Sequence, residues 1–368
     1  MLHLVADENI PFLNDFFGHF GRITALPGRA MQASDLASAD ILLVRSVTKV
    51  NAQLLTDSPV KFVGTCTIGV DHLDAEYLAR RGIITASAPG CNAGGVVQYV
   101  LSALARIRPQ WPQAKIGIVG CGNVGGRLYR VLNAAGVNVC AFDPFKQHAD
   151  IRWAAWEELL QCDIICMHTP LTRTGVAPTF HLFNETVLRR LKPGTLLLNA
   201  GRGEVIDNHA LLKCLQDKQD LTVVLDVWEG EPEILAPLMD CVALGTPHIA
   251  GYSYEGRVNG SLMIHRALGE FLNVNEADLT RHETQVMSRA MGEKECLNFT
   301  DMNSSLLSIY DVDRDDRQLR ALVKQEGTSR FGFDQLRKNY PQRRELSHYV
   351  VSPQSPQVHT LRALGFAV

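Results

Sequence analysis

Along most of the chain, short apolar runs alternate with segments whose apolar positions recur at helical spacing. "HLVADEN", "ADILLVRS", "VKFVGTC" and "GIITASAPG" predict strands, because each run is too short and too continuously apolar for an amphipathic helix. "LDAEYLARRG" predicts a helix between two of them, closed by Gly82. "NAGGVVQYVLSALARIRP" predicts a long helix with Val96, Val97, Val100, Leu101 and Leu104 on one face and Pro109 as its stop. A second alternating series begins at "AKIGIVG" and runs to about Tyr252, and "EGRVNGSLMIHRALGEFLN" then predicts another helix. Such alternation predicts parallel sheets and an α/β fold.

From about residue 285 the pattern weakens. The chain becomes more charged, contains "SPQSPQ", and offers only two faint strand–helix pairs. These are "SLLSIYDV" with "DRQLRALVKQ" and "LSHYVV" with "VHTLRALGF". A small separate α+β domain over 285–368 is the expectation.

Within the second series, "IGIVGCGNVGGRLYRVLNAAGVNVCAFDP" sets Gly120, Gly122 and Gly125 in G-x-G-x-x-G spacing. The triplet follows an apolar strand and opens a helix with Leu128, Val131 and Leu132 on its apolar face. A second strand ends at Asp143, about 20 residues on, as a dinucleotide-binding turn requires. Gly120 permits the tight turn, Gly122 admits the pyrophosphate, and Gly125 lets helix meet strand. The helix N-terminus offers unpaired N–H groups to the phosphates. A carboxylate at 143 suits ribose hydroxyls and repels a 2′-phosphate, which favours NAD over NADP.

This turn opens a second domain, because a whole α/β segment precedes it. The expected layout is two parallel-sheet domains, Rossmann-like and flavodoxin-like, with a ligand cleft between them. Residues 1–92 and 253–284 would form a substrate (lid) domain, 93–252 the NAD-binding domain, and 285–368 the small third domain. The helices at 93–107 and after Tyr252 would be the crossings.

Three successive strands of the second series end on polar residues. "LKPGTLLLNAGRGEVIDN" ends at Arg202, "LTVVLDVWEGEPE" at Asp226 with Glu231 following, and "VALGTPHIAGYS" at His248. The carboxyl edge of an open parallel sheet is where its ligands bind. His248 could remove a hydroxyl proton as hydride leaves the same carbon, with Glu231 orienting the ring and favouring the imidazolium. Arg202 could hold a carboxylate beside the reacting carbon.

Bulk properties remove other classes. Net charge is −3, with 46% apolar and 20% charged residues, so nothing points to nucleic acid or an anionic membrane. No apolar run approaches the ~20 residues of a spanning helix, and "MLHLVADENIPF" has no secretory pattern. Nine cysteines lie singly without metal-site spacing, which suggests buried thiols in a reducing cytoplasm and no metal. "DVDRDDRQLRAL" imitates a calcium loop, but Asp316 stands where the turn needs Gly and Leu322 where a bidentate Glu is needed. An acidic helix start is expected there.

The combination of the glycine turn with "NAGRGEVID", "DVWEGEP" and "PHIAG" resembles the D-isomer-specific 2-hydroxyacid dehydrogenases. "APGCNAGGVVQYV" resembles that family's interdomain helix, and the likeness covers roughly residues 40–270. It implies Arg202, Glu231 and His248 as the catalytic set. It implies NAD contacts from Gly120, Gly122, Asn123, Val124, Gly125, Asp143, Thr169, Ala200, Gly201, Asp226 and Gly251. The usual family pattern has Thr after the glycine of the last motif, whereas "GYSYEG" has Tyr252 there, followed by Ser253. With "LVADENIPF", "VRSVTKVN" and "GTCTIGVDHLD", this departure resembles a narrower group within the family that acts on a phosphorylated 2-hydroxy acid. That resemblance implies substrate contacts from Ser46, Thr67 and Tyr252, and a C-terminal domain that builds a homodimer. Arg45 is a further candidate for the phosphate, although a strand-end surface cation would look the same. The competing readings are a relative acting on 3-phosphoglycerate or on glyoxylate and hydroxypyruvate, and a non-enzymatic NAD-sensing regulator.

Overall fold

A computed structural model of the chain describes residues 1–297, 301–326, 330–355 and 357–368. It comprises two compact units, Met1–Asn92 with Ser253–Glu293, and Ala93–Tyr252 with Lys294–Val368. Two of the three breaks fall at helix starts, and the third, after Glu293, precedes a strand. Helix Ala93–Ile107 opens the second unit, and Ser253 caps helix Tyr254–Phe271 by accepting a hydrogen bond from the Gly256 N–H at 3.1 Å.

The first unit holds a parallel sheet of β1 (Leu2–Asp7), β2 (Gly21–Leu26), β3 (Ile41–Val44), β4 (Phe62–Thr65) and β5 (Ile84–Ala86). Its order, β2-β1-β3-β4-β5, is the flavodoxin-like doubly wound order. Alternate residues face opposite cores. Leu4, Ala6, Leu43 and Phe62 meet Val258, Ile264 and Leu268 of helix Tyr254–Phe271. Val5, Leu42, Val44 and Val63 meet Leu36, Leu55 and Leu78 on the other side. β2 escapes the apolar pattern because it is an edge strand, half covered, with Arg22 exposed. Helix Ala75–Arg80 begins at Asp74, which accepts a hydrogen bond from the Tyr77 N–H, and is followed by Gly82 at φ 65°.

The second unit holds β6 (Ile116–Val119), β7 (Val139–Phe142), β8 (Ile164–Met167), β9 (Thr195–Asn199), β10 (Leu221–Leu225) and β11 (Leu244–Gly245). All pairs are parallel, in the order β11-β10-β9-β8-β6-β7. A lone parallel bridge from Ala141 to Trp153 extends the β7 side. Strand order therefore reverses between β6 and β8, and a crevice opens at the carboxyl ends of such a pair.

Two expectations about the chain's local structure change. Helix Ala93–Ile107 is buried on every side from Ala93 to Ala105, not on one face. "SLLSIYDV" is not a strand. Its first five residues belong to helix Met302–Ile309, capped by Asp301, which accepts from the Ser304 N–H at 3.0 Å. The two corrections have one cause. Leu306, Tyr310 and Val312 join the core that surrounds the 93–107 helix. The Ser102 hydroxyl donates to the Tyr310 carbonyl at 2.7 Å and accepts from the Val312 N–H at 3.1 Å.

The rest of the C-terminal segment follows this pattern. Leu346, Val351, Leu361, Leu364 and Phe366 pack into the same core, while Leu319 and Phe333 reach the core on the opposite sheet face. β12 (Glu295–Leu297) and β13 (Tyr349–Val351) form their own parallel pair. Residues 294–368 thus lie within the second unit, apart from 298–300, 327–329 and Pro356 of "SPQSPQ", which are outside the described residues. The acidic stretch at 311–322 is a helix start, as expected. Its Asp316 accepts from the Gly245 N–H at 2.7 Å and pairs with Arg320 at 2.8 Å. Among the described residues, no helix is long and apolar enough to cross a membrane.

Candidate active site

Helix Asn123–Ala134 starts at Gly122 without any side-chain cap, so its first N–H groups are free for an anion. Gly120 sits at φ 84°, in the left-handed region. A β-carbon on Gly125 would lie 1.9 Å from the Gly120 carbonyl oxygen, so only glycine lets the helix come this close to β6. A β-carbon on Gly122 would meet nothing within 4 Å, which leaves the space that a pyrophosphate needs. Asp143 closes the turn, accepting from the Cys121 N–H and the Phe145 N–H, each at 2.9 Å. At the end of β8, across the reversal point, the Thr169 hydroxyl is buried with no partner among the described residues. An uncapped helix start, open space at Gly122 and an orphaned hydroxyl together fit a dinucleotide phosphate.

At the end of β9, the buried side chain of Asn199 organises the arginine loop. Its carbonyl oxygen accepts from the Gly201 N–H at 3.0 Å, and its amide donates to the Arg202 carbonyl at 2.9 Å. The half-buried Arg202 guanidinium donates to the Gly201 carbonyl at 2.9 Å. After β10, Asp226 is buried and both its oxygens are engaged. They accept from the Thr246 hydroxyl at 2.7 Å and from the N–H groups of Ile249 and Ala250 at 2.8 and 2.9 Å. Burial pushes the Asp226 carboxyl above its ordinary pKa, against the pull of His248 and these donors.

His248 lies at φ 57°, its N–H held by the Asp226 carbonyl at 2.7 Å. Its Nδ1 meets Glu231 Oε1, and the other Glu231 oxygen accepts from the Trp228 N–H at 3.1 Å. Burial raises the Glu231 carboxyl, but His248, through its charge and its hydrogen bond, and the Trp228 amide outweigh that and hold it below its ordinary pKa. The pair engages Nδ1 and leaves Nε2 as the nitrogen that could exchange a proton.

The last motif is buttressed from the C-terminal segment. Arg343 is buried and donates to the Ala250 carbonyl, with its guanidinium 4.3 Å over the Tyr310 ring. Tyr252, half-buried next to Gly251, packs edge-on against Tyr340 at 5.8 Å, and the Arg337 guanidinium lies 5.6 Å from its ring. The Tyr340 hydroxyl donates to Asp315 at 2.8 Å.

The second unit therefore gathers Arg202, Asp226, Glu231, His248 and Tyr252 with the glycine turn at strand ends of one sheet. Ser46, Thr67 and Arg45 belong to the first unit. Arg45 and Ser46 follow β3, Thr67 follows the adjacent β4, and the Thr67 hydroxyl bonds that of Thr65 at 2.8 Å. Sequence reasoning missed Asn199, Arg337, Tyr340 and Arg343. For the last three the only signal was a density of cations and an aromatic in "LRKNYPQRREL", which spacing cannot interpret. It also passed over His168, a half-buried residue just after β8 whose ring nitrogens are buried and whose pKa burial lowers to about 4.

The fold and the site define an NAD-dependent dehydrogenase of 2-hydroxy acids, and the chain belongs to the D-isomer specific 2-hydroxyacid dehydrogenase family. Residues 102–250 match that family's NAD-binding domain. Residues 285–365 match a domain described only as of unknown function. The chain is 52% identical to erythronate-4-phosphate dehydrogenase of Teredinibacter turnerae, over 100% of this chain and 99% of that one. It is 48% identical to the Pseudomonas putida F1 protein of the same name, over 98% of each. Among solved structures it resembles D-lactate dehydrogenase of Aquifex aeolicus, crystallised with NAD and lactic acid, at TM-score 0.60 and 22% identity over 74% of this chain and 95% of that one. It also resembles NAD-bound 3-phosphoglycerate dehydrogenase of Entamoeba histolytica, at TM-score 0.61 and 20% identity over the same shares. These two likenesses speak to the fold alone.

Proposed function

We propose that the chain oxidises 4-phospho-D-erythronate to (R)-3-hydroxy-2-oxo-4-phosphooxybutanoate with NAD, a step of pyridoxal 5′-phosphate synthesis. The observation that carries this reading is the Glu231–His248 pair standing with Arg202 at the sheet edge that bears the glycine turn. The full-length identity to erythronate-4-phosphate dehydrogenases supports the choice of substrate.

NAD, when bound, supplies a hydride acceptor. His248 Nε2 takes the proton of the C2 hydroxyl, and Glu231 stabilises the imidazolium through Nδ1. Arg202 holds the C1 carboxylate and fixes C2 in place. Gly120, Gly122, Asn123, Val124 and Gly125 would hold the pyrophosphate, and Asp143 the adenosine ribose. Thr169, Ala200, Gly201, Asp226 and Gly251 would line the remainder, Asp226 through the loop it braces. Ser46, Thr67, Arg45 and Tyr252 are the proposed substrate contacts.

The layout proposed from the sequence assigns 1–92 with 253–284 to substrate, 93–252 to NAD, and 285–368 to a homodimer interface in a cytoplasmic protein. Phe331, 73% exposed on the C-terminal segment, is a candidate for that interface. Light scattering of the purified chain at twice the monomer mass would support the dimer, and a monomer at micromolar concentration would refute it.

Purified protein mixed with NAD and each acid in turn, with NADH formation followed, tests the activity. Turnover of 4-phospho-D-erythronate should exceed that of 3-phosphoglycerate, glycerate and glycolate. A preference for 3-phosphoglycerate would overturn the substrate assignment. NADH binding without turnover of any 2-hydroxy acid would favour an NAD-sensing regulator.

A further inference from the structure

We propose that Arg337, carried by the C-terminal segment, is a substrate-binding residue that pairs with the distal phosphate. This gives a role to a segment that matches only a domain of unknown function. It rests on the substrate class proposed above.

The argument begins with an unmet donor. Arg337 lies on helix Arg330–Lys338, and its Nε–H is buried with no acceptor among the described residues. Its nearest carboxylate on that helix, Asp334, stands off at 4.0 Å. Buried guanidinium donors are ordinarily satisfied, so one left open beside a catalytic pair calls for an explanation. Packing alone does not supply it, because a guanidinium is a poor filler where an apolar side chain would serve.

Position narrows the choice. The guanidinium lies 5.6 Å from the Tyr252 ring, four residues beyond His248, and within the electrostatic reach of Glu231. Burial works against its charge, but Tyr252, Glu231 and Asp334 more than offset this and hold its pKa above the ordinary value. It is a fixed cation at the rim of the proton-transfer site. Tyr252 is itself held by Tyr340, which bonds Asp315, so the ring and the cation form one braced wall.

Chemistry then decides the partner. The proposed substrate carries two anions. Arg202 is placed for the carboxylate at the reacting carbon, which leaves the phosphate. A planar guanidinium with an open Nε–H offers two parallel donors to phosphate oxygens. Lysine, with a single point charge, would be weaker there.

The test compares wild type with Arg337→Gln and Arg337→Lys, using 4-phospho-D-erythronate and unphosphorylated D-erythronate. In R337Q, KM for the phosphorylated acid should rise on the order of 10²-fold, the scale for losing a buried charge partner. R337K should recover part of this. Turnover of D-erythronate, NADH affinity and the thermal midpoint should hold within a few-fold or a few degrees. An equal loss on both acids, or a fall in kcat with KM unchanged, would overturn the proposal, because Arg337 would then act on Glu231 and His248. A parallel titration of inorganic phosphate into the NADH-bound protein, read by nicotinamide fluorescence, separates this idea from the substrate assignment. If wild type turns over neither acid, the assignment fails, yet phosphate should still bind wild type and not R337Q. Equal phosphate binding by both proteins would overturn the role of Arg337.

Discussion

Asp226 and His248 are joined through backbone, not through their side chains. The Asp226 carbonyl accepts the His248 N–H at 2.7 Å, and its carboxylate holds the next two N–H groups of the same loop. This anchorage keeps a non-glycine residue at φ 57°. Such a conformation costs of order 1 kcal/mol or more and persists only where its surroundings over-determine it.

Asp226→Ala should therefore impair folding and catalysis together. It leaves the Ile249 and Ala250 N–H groups without an acceptor and the Thr246 hydroxyl with Tyr99 alone, at about 1–3 kcal/mol for each buried donor left unmet. Thermal unfolding should show a drop of several degrees. An unchanged midpoint would remove Asp226 from the bracing role.

Removing His248 should separate chemistry from binding. His248→Ala is expected to lower kcat on the order of 10²–10⁴-fold, the range for a general acid–base residue, with NADH binding retained. Glu231→Gln should lower kcat less, because the ring keeps a hydrogen-bond partner but loses its counter-charge. Stopped-flow hydride transfer with both variants checks the order.

The Glu231 carboxyl is held below its ordinary pKa of 4.5 in the folded chain. A group depressed on folding stabilises the protein above its unfolded pKa, and the gain is lost as pH falls through the folded value. The stability difference between wild type and E231Q should thus be full near neutrality and shrink below about 4.5. Urea midpoints measured across that range read it directly, and a difference that widened with acid would contradict the assignment.

Two of the three glycines of the cofactor turn, Gly122 and Gly125, should fail differently. Gly125→Ala places a β-carbon 1.9 Å from the Gly120 carbonyl oxygen and should destabilise the unit by about 1–3 kcal/mol or more. Gly122→Ala meets no protein atom within 4 Å, so the fold should survive while NADH affinity falls at least tenfold. Calorimetry and NADH titration on the pair would distinguish them.

Truncation after Glu293 should leave an insoluble or molten remainder, not a working enzyme without its third domain. Leu306, Tyr310, Leu361 and Phe366 belong to the core around the 93–107 helix, and their loss would uncover it. Soluble yield and NADH binding of residues 1–293 test this.

How much of this was legible before folding follows from the range of each interaction. The parallel strands, the glycine turn and the polar residues at strand ends come from local rules. Period and turn chemistry operate over a few residues, so "IGIVGCGNVGG" and "GTPHIAGYS" declared their elements in one dimension. Once the strands were known to be parallel and successive, Arg202, Asp226 and His248 had to share an edge. Glu231, five residues past Asp226, falls near the same edge, although helix Ala236–Cys241 and β11 separate it from His248 in sequence. The edge strand β2 was invisible because an exposed edge has no apolar run to display.

What only the tertiary structure decided lies far apart in sequence. The 93–107 helix looked one-faced until residues some 200 positions later covered its other side, and that cover made the first five residues of "SLLSIYDV" helical. The same cover brings Arg337, Tyr340 and Arg343 to Tyr252 and the His248 loop. Long-range burial overrides local preference because it removes more apolar surface from water than propensity can offset. The motifs that carry the proposed chemistry were written locally, and the surroundings of Tyr252 and the His248 loop were assembled by packing.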